Sequence, residues 1–101
     1  MNFKIAETLK EKEFEIVGEN PATNEMYFEF MGERENPLLK EHKYSLVVNE
    51  NTKQYHFLGI LGNTKTALIS AKYNDVENFV VLECVMLEFE IMFGKAIETL
   101  L

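Results

Sequence analysis

The chain has little cysteine, proline and glycine, and each shortage excludes a class of protein. Its single cysteine, Cys84, excludes an internal disulfide and a zinc site built from several cysteines. Two prolines and five glycines among 101 residues are too few for a linker-rich or low-complexity chain. With 47% hydrophobic residues the chain can form a folded core. The sequence therefore predicts one globular domain spanning residues 1–101.

Basic residues are also scarce. Lysine and arginine number 10 against 17 aspartates and glutamates, so the formal net charge is −7. A protein that binds nucleic acid in the usual way needs a basic surface to meet the phosphates. We therefore expect no direct contact with nucleic acid.

Long apolar runs are missing as well. A membrane-spanning helix needs about 18 or more consecutive apolar residues, and the closest stretch, residues 79–93, is interrupted by three glutamates. The first nine residues contain polar and charged side chains, unlike a secretory signal. We expect a cytoplasmic protein that does not contact a membrane.

The first third of the chain predicts a helix followed by two strands. Apolar residues recur at helical spacing over residues 3–12, and from Glu13 the period changes to two. The alternating runs 13–17 and 25–31 are separated by a loop rich in glycine, asparagine and proline, which predicts an antiparallel pair. Residues 36–39, Asn-Pro-Leu-Leu, predict a short helical turn.

The middle of the chain predicts further strands. Residues 44–48 and 54–61 form the third and fourth, separated by a turn of asparagine, glutamate and threonine. Residues 66–71 form a fifth candidate, although the alanine and leucine spacing there also fits a helix.

The last quarter of the chain fits two structures. Residues 74–77, Asn-Asp-Val-Glu, have the pattern of a helix start, whereas several apolar residues between 85 and 93 alternate with glutamates as in a strand. The stretch is longer than a typical strand of about five or six residues. We therefore predict a helix over 75–93, with Gly94 as its end or a kink.

These elements predict an α+β fold. An antiparallel sheet of four or five strands is flanked by a short N-terminal helix and a longer C-terminal helix, with the helices on one face. The C-terminal helix is apolar around nearly its whole circumference, so it must bury more than one face. The N-terminal helix, a second copy of the chain or another protein are the alternatives for its second face.

One stretch comes close to a phosphate-binding loop. Residues 59–66, Gly-Ile-Leu-Gly-Asn-Thr-Lys-Thr, match that pattern except at Thr64, where glycine is required before the lysine. A β-branched residue resists the backbone geometry that lets the loop approach a phosphate. The interpretation we favour is a hairpin turn over 62–65, with no nucleotide bound.

No arrangement of residues predicts catalysis. His42 and His56 have no metal-ligand spacing, and the apolar neighbours of Cys84 favour an inert packing residue over a nucleophile. Glutamate pairs such as 13/15 and 88/90 would be solvated on outward strand faces, where a carboxyl group is a poor general acid. We expect neither an enzyme nor a bound cofactor or metal.

Charge is distributed unevenly along the chain, and this is the strongest functional indication. Residues 11–35 hold eight glutamates against one lysine and one arginine, whereas residues 51–72 hold three lysines and no acid. If the first two strands pair, period two places one set of residues on a single face: Glu13, Glu15, Glu25, Tyr27 and Glu29. This acidic face around a tyrosine is either a solvated surface or a site for a basic partner.

The leading hypothesis is a small acidic protein-binding module of the inhibitor, immunity or adaptor type, docking on a basic protein surface. The main alternative is a homodimer that buries the apolar C-terminal helix. A small-molecule-binding domain, with a pocket between sheet and helix lined by phenylalanine, tyrosine and methionine, is a third possibility.

Overall fold

The computed structural model describes residues 3–32, 42–62, 66–74, 76 and 79–100. Seven elements follow one another along the chain: α1 (Phe3–Glu11), β1 (Phe14–Asn20), β2 (Glu25–Phe30), β3 (Lys43–Asn49), β4 (Gln54–Ile60), β5 (Ala67–Asn74) and α2 (Phe79–Leu100). The predicted α+β class is confirmed, with five strands. The helical turn predicted over 36–39 lies outside the described residues.

The five strands form one antiparallel sheet in which each strand pairs with its neighbours in the sequence, in the order β1-β2-β3-β4-β5. The strand prediction for 66–71 is confirmed by β5. The pairing shifts register between Ile16 and Gly18 on β1 and between Gly59 and Ile60 on β4. Both irregularities involve an outer pair of strands, where bulges commonly occur.

One face of the sheet forms the hydrophobic core together with both helices. Alternate strand residues point into it, as the period-two pattern predicts. The core side chains are Leu9, Phe14, Met26, Phe28, Tyr44, Leu46, Val48, Tyr55, Phe57, Val76, Leu82, Met86, Phe89, Phe93 and Ile97. Burying each large apolar side chain contributes roughly 1.5–3 kcal/mol, so this cluster accounts for most of the favourable free energy of folding.

Aromatic rings join α2 to the sheet. Phe89 stacks on Phe57 with 5.3 Å between ring centroids, and it also contacts Tyr44 at 5.6 Å. Phe93 lies against Gly59, where a β-carbon would approach its Cδ1 atom to 2.6 Å. The absence of a side chain at Gly59 therefore lets the helix pack closely on β4.

The helix prediction for the last quarter is confirmed, but its bounds are wrong. α2 begins at Phe79 and continues through a buried Gly94 to Leu100. Glycine costs about 1 kcal/mol relative to alanine in a helix interior. Phe93 and Ile97, both fully buried on the sheet, offset this cost and carry the helix past Gly94.

Among the described helices, none is long and apolar enough to cross a lipid bilayer.

Candidate functional site: the open face of the sheet

The face of the sheet opposite the helices is open. Its central strands carry apolar as well as polar outward side chains, with Val47 on β3 and Leu58 and Ile60 on β4, all of them half-buried. We call this surface the open face. Its described outward residues on β1 and β2 are Glu15, Gly18, Asn20, Glu25, Tyr27 and Glu29, and those on β3 to β5 are Lys43, Ser45, Val47, Asn49, Gln54, His56, Leu58, Ile60, Ala67, Ser70, Lys72 and Asn74.

The structure brings Glu15 and Glu29 together, as the sequence predicts. The two residues lie directly opposite each other on β1 and β2. Like charges in this position destabilise a sheet. One cation compensates in part, because the Lys43 ammonium lies 3.3 Å from a carboxylate oxygen of Glu29. Glu15 remains exposed.

Tyr27 lies beside this acidic pair in a row that crosses the sheet. Its cross-strand neighbour is Val47, which in turn faces His56, and His56 faces Lys72. The row therefore runs from an aromatic side chain near the acidic strands to a lysine on β5. An aromatic and apolar centre with a charged rim is typical of protein-binding surfaces.

Glu25 also lies on this face, at the end of β2. It faces Asn49 across the strand pair. The Thr23 hydroxyl donates a hydrogen bond to a Glu25 carboxylate oxygen at 2.8 Å. This bond orients Glu25 at the edge of the open face, close to the turn that joins β1 to β2.

The prediction that Glu13 belongs to the open face is wrong. Glu13 lies in the turn between α1 and β1 with a φ of 67°, and its N–H donates to the Lys10 carbonyl. A left-handed residue in this position closes a helix, so the two-residue link between α1 and β1 interrupts the period of two. The Glu13 carboxylate packs against Gly32 on the helix side of the sheet.

His56 also lies on the open face, although no sequence motif indicates a role for it. Its Nε2 atom is buried and, within the described part of the chain, has no hydrogen-bond partner. Partial burial lowers the pKa of His56 below its ordinary value of 6.5, and the positive charge of Lys72 lowers the pKa further. The sheet register places His56 between Val47 and Lys72.

α2 carries a second unusual surface. Val80, Leu87 and Ile91 are 57–63% exposed, and Cys84 between them is also exposed, so the expectation that Cys84 packs in the core is wrong. We call these four residues the α2 stripe. α1 lies at the other end of the sheet, where it contacts β1, and leaves the stripe uncovered in the described structure.

A buried carboxylate lies on the side of α2 that faces the sheet. Glu90 is only 9% exposed, and the Tyr44 hydroxyl donates a hydrogen bond to its Oε1 atom at 2.7 Å. The expectation of a solvated Glu88/Glu90 pair therefore fails for Glu90, because the residue is helical and faces β3. Nearby, Lys12 forms a salt bridge with Glu83 that links the end of α1 to α2.

No metal site is evident in the part of the chain that the structure describes, where no three side chains of histidine, cysteine, aspartate or glutamate come together. Comparison of the chain with protein-family models, with curated proteins and with solved structures finds no match.

Proposed function

We propose that this chain is a non-catalytic protein-binding module whose open face docks on a basic surface of a partner protein. The observation that carries the proposal is the position of Tyr27 beside the opposed Glu15 and Glu29 on a sheet face that no described element covers. The same proposal places the protein in the cytoplasm, where a lone cysteine stays reduced.

The opposed glutamates support binding because they cost stability in the free protein. A cationic partner relieves this repulsion, so part of the electrostatic free energy is gained only in the complex. Tyr27 and Val47 supply apolar contact area next to the charges. A buried aromatic residue surrounded by charged contacts is typical of the residues that dominate binding energy.

Affinity capture from the native cell extract tests this proposal. Three baits are compared: the wild type, the double variant Glu25→Gln/Glu29→Gln, and the control variant Glu88→Gln/Glu98→Gln. The control has the same net charge as the open-face variant, but its changes lie at exposed sites on α2. We expect basic proteins on the wild type and the control, lost from the open-face variant and at raised salt. Equal capture by both variants would contradict the proposal.

A homodimer through the α2 stripe is the second candidate function. The four stripe residues follow the spacing i, i+4, i+7 and i+11, which is the spacing of a seam between two packed helices. Because both copies are acidic, salt should strengthen this association, whereas it weakens docking on a basic partner. Sedimentation of the wild type and of Leu87→Lys at two salt concentrations distinguishes the two functions.

A further inference from the structure

A groove of about 670 Å³ lies between α1 and the β1–β2 end of the sheet. Ile16 and Phe28, which face each other across β1 and β2, form part of its apolar lining, and Ala6 lines it from α1. Its other described lining residues are Glu7, Lys10, Glu13, Phe14, Glu15 and Met31. Ligand-binding clefts have volumes of about 300–1,000 Å³, so the groove can hold one small molecule.

Two apolar side chains in the groove are exposed, although residues on the helix side of the sheet are generally buried in the core. Ile16 points to the same side of the sheet as the core residue Phe28, yet it is 41% exposed, and Met31 is 61% exposed. α1 has nine residues and is therefore only about 13 Å long. A short helix over the end of the sheet leaves a short groove, which fits a small ligand better than a protein segment.

The charged residues around the groove favour a cationic ligand. Glu7, Glu13 and Glu15 are exposed, and in the described structure their carboxylates form no salt bridge or hydrogen bond. Lys10 is the single basic residue among the described lining residues. Three carboxylates against one ammonium group attract cations and repel anions.

We propose that this groove binds a small molecule with an apolar body and a cationic head, of the alkylamine or arylamine class. The apolar body lies against Ile16, Phe28 and Met31, and the amine lies among the three rim carboxylates. The groove opens on the helix side of the sheet, and of the residues assigned to the open face only Glu15 also lines it. The inference does not depend on the function proposed above.

Methyl NMR with matched ten-carbon probes tests the inference. Decylamine and decanoate share an alkyl chain and differ in the sign of the head group, and both are used below the concentration at which they form micelles. We expect decylamine to shift the methyl signals of Ala6, Ile16 and Met31 and to bind about tenfold more tightly than decanoate at low salt. The methyl signals of Val80 and Leu87 report on non-specific binding to the α2 stripe.

Two matched variants complete the test. Met31→Lys and Leu87→Lys introduce the same side chain at positions of similar exposure, 61% and 57%. We expect Met31→Lys to weaken decylamine binding about tenfold and Leu87→Lys to leave it unchanged. The inference is overturned if decanoate binds as tightly as decylamine, if the shifts occur on the α2 stripe, or if decylamine does not bind.

Discussion

Glu15 on β1 and Glu29 on β2 lie directly opposite each other on the open face of the sheet. Their repulsion lowers the stability of the free protein, and a surface that only contacts water does not need two glutamates in this arrangement. The Lys43 ammonium, 3.3 Å from Glu29, offsets part of this cost, and Glu15 has no such cation in the described structure. The pair therefore links the stability of the free protein to its proposed binding function.

Reversal of the charge at Glu15 should stabilise the protein. Glu15→Lys replaces a like-charge pair with an opposite-charge pair, so we expect the free energy of unfolding to rise by about 0.5 kcal/mol at low salt. The control is Glu19→Lys, which makes the same charge change opposite Met26. Urea denaturation of both variants measures the difference. An equal gain from both would show that the net charge, and not the pair, sets the effect.

The Tyr44 hydroxyl should contribute strongly to stability. Tyr44→Phe removes a hydrogen bond to the buried Glu90 carboxylate, and we expect a loss of about 1–3 kcal/mol in the free energy of unfolding. Tyr27→Phe removes the same atom from a half-buried tyrosine on the open face, and its effect should be within about 0.5 kcal/mol. Thermal unfolding of both variants compares them, and equal effects would contradict the role assigned to Glu90.

Gly59 should tolerate no side chain. A β-carbon there approaches the Phe93 ring to 2.6 Å, so we expect Gly59→Ala to destabilise the protein by about 1–3 kcal/mol through displacement of α2. At Gly18 a β-carbon would lie 3.5 Å from Tyr27, an ordinary contact. Gly18→Ala should therefore be close to neutral. A neutral Gly59→Ala in chemical denaturation would mean that α2 packs less closely on β4.

Stability should fall on acidification through the titration of His56. Its pKa is lower in the folded protein than the ordinary value of 6.5, because of partial burial and then the charge of Lys72. The unfolded chain therefore takes up the proton first, and stability that is present above pH 6.5 is lost as the pH falls toward the folded pKa. The loss between pH 7.5 and 5 should be smaller in His56→Gln. Parallel losses in both proteins would exclude His56 as the cause.

Much of the fold was predictable because its patterns are local. Strand alternation and helical spacing depend on residues a few positions apart, and they predicted the sheet, both helices and the antiparallel β1–β2 pair. The errors occur where a local pattern competes with packing. Glu13 continues the alternation of β1 but closes α1, and Gly94 resembles a helix end but is held in α2 by Phe93 and Ile97.

The candidate site was predictable only in part. Glu15, Glu25, Tyr27 and Glu29 follow from the pairing of two neighbouring strands, which the loop between them indicates. The position of His56 beside Val47 and Lys72 depends on the register of three strands, and no short-range pattern carries it. The groove below α1 depends on how far a nine-residue helix covers the sheet, which is a tertiary property.

Site-specific photocrosslinking tests whether the open face docks on a basic protein. A benzoylphenylalanine replaces Tyr27 in one variant and Leu87 on the α2 stripe in another, and each is irradiated in the native cell extract. We expect an adduct with a basic protein from position 27. This adduct should be absent from position 87 and should be lost when Glu25→Gln/Glu29→Gln is added. Adducts from position 87 alone, or none from position 27, would contradict docking through the open face.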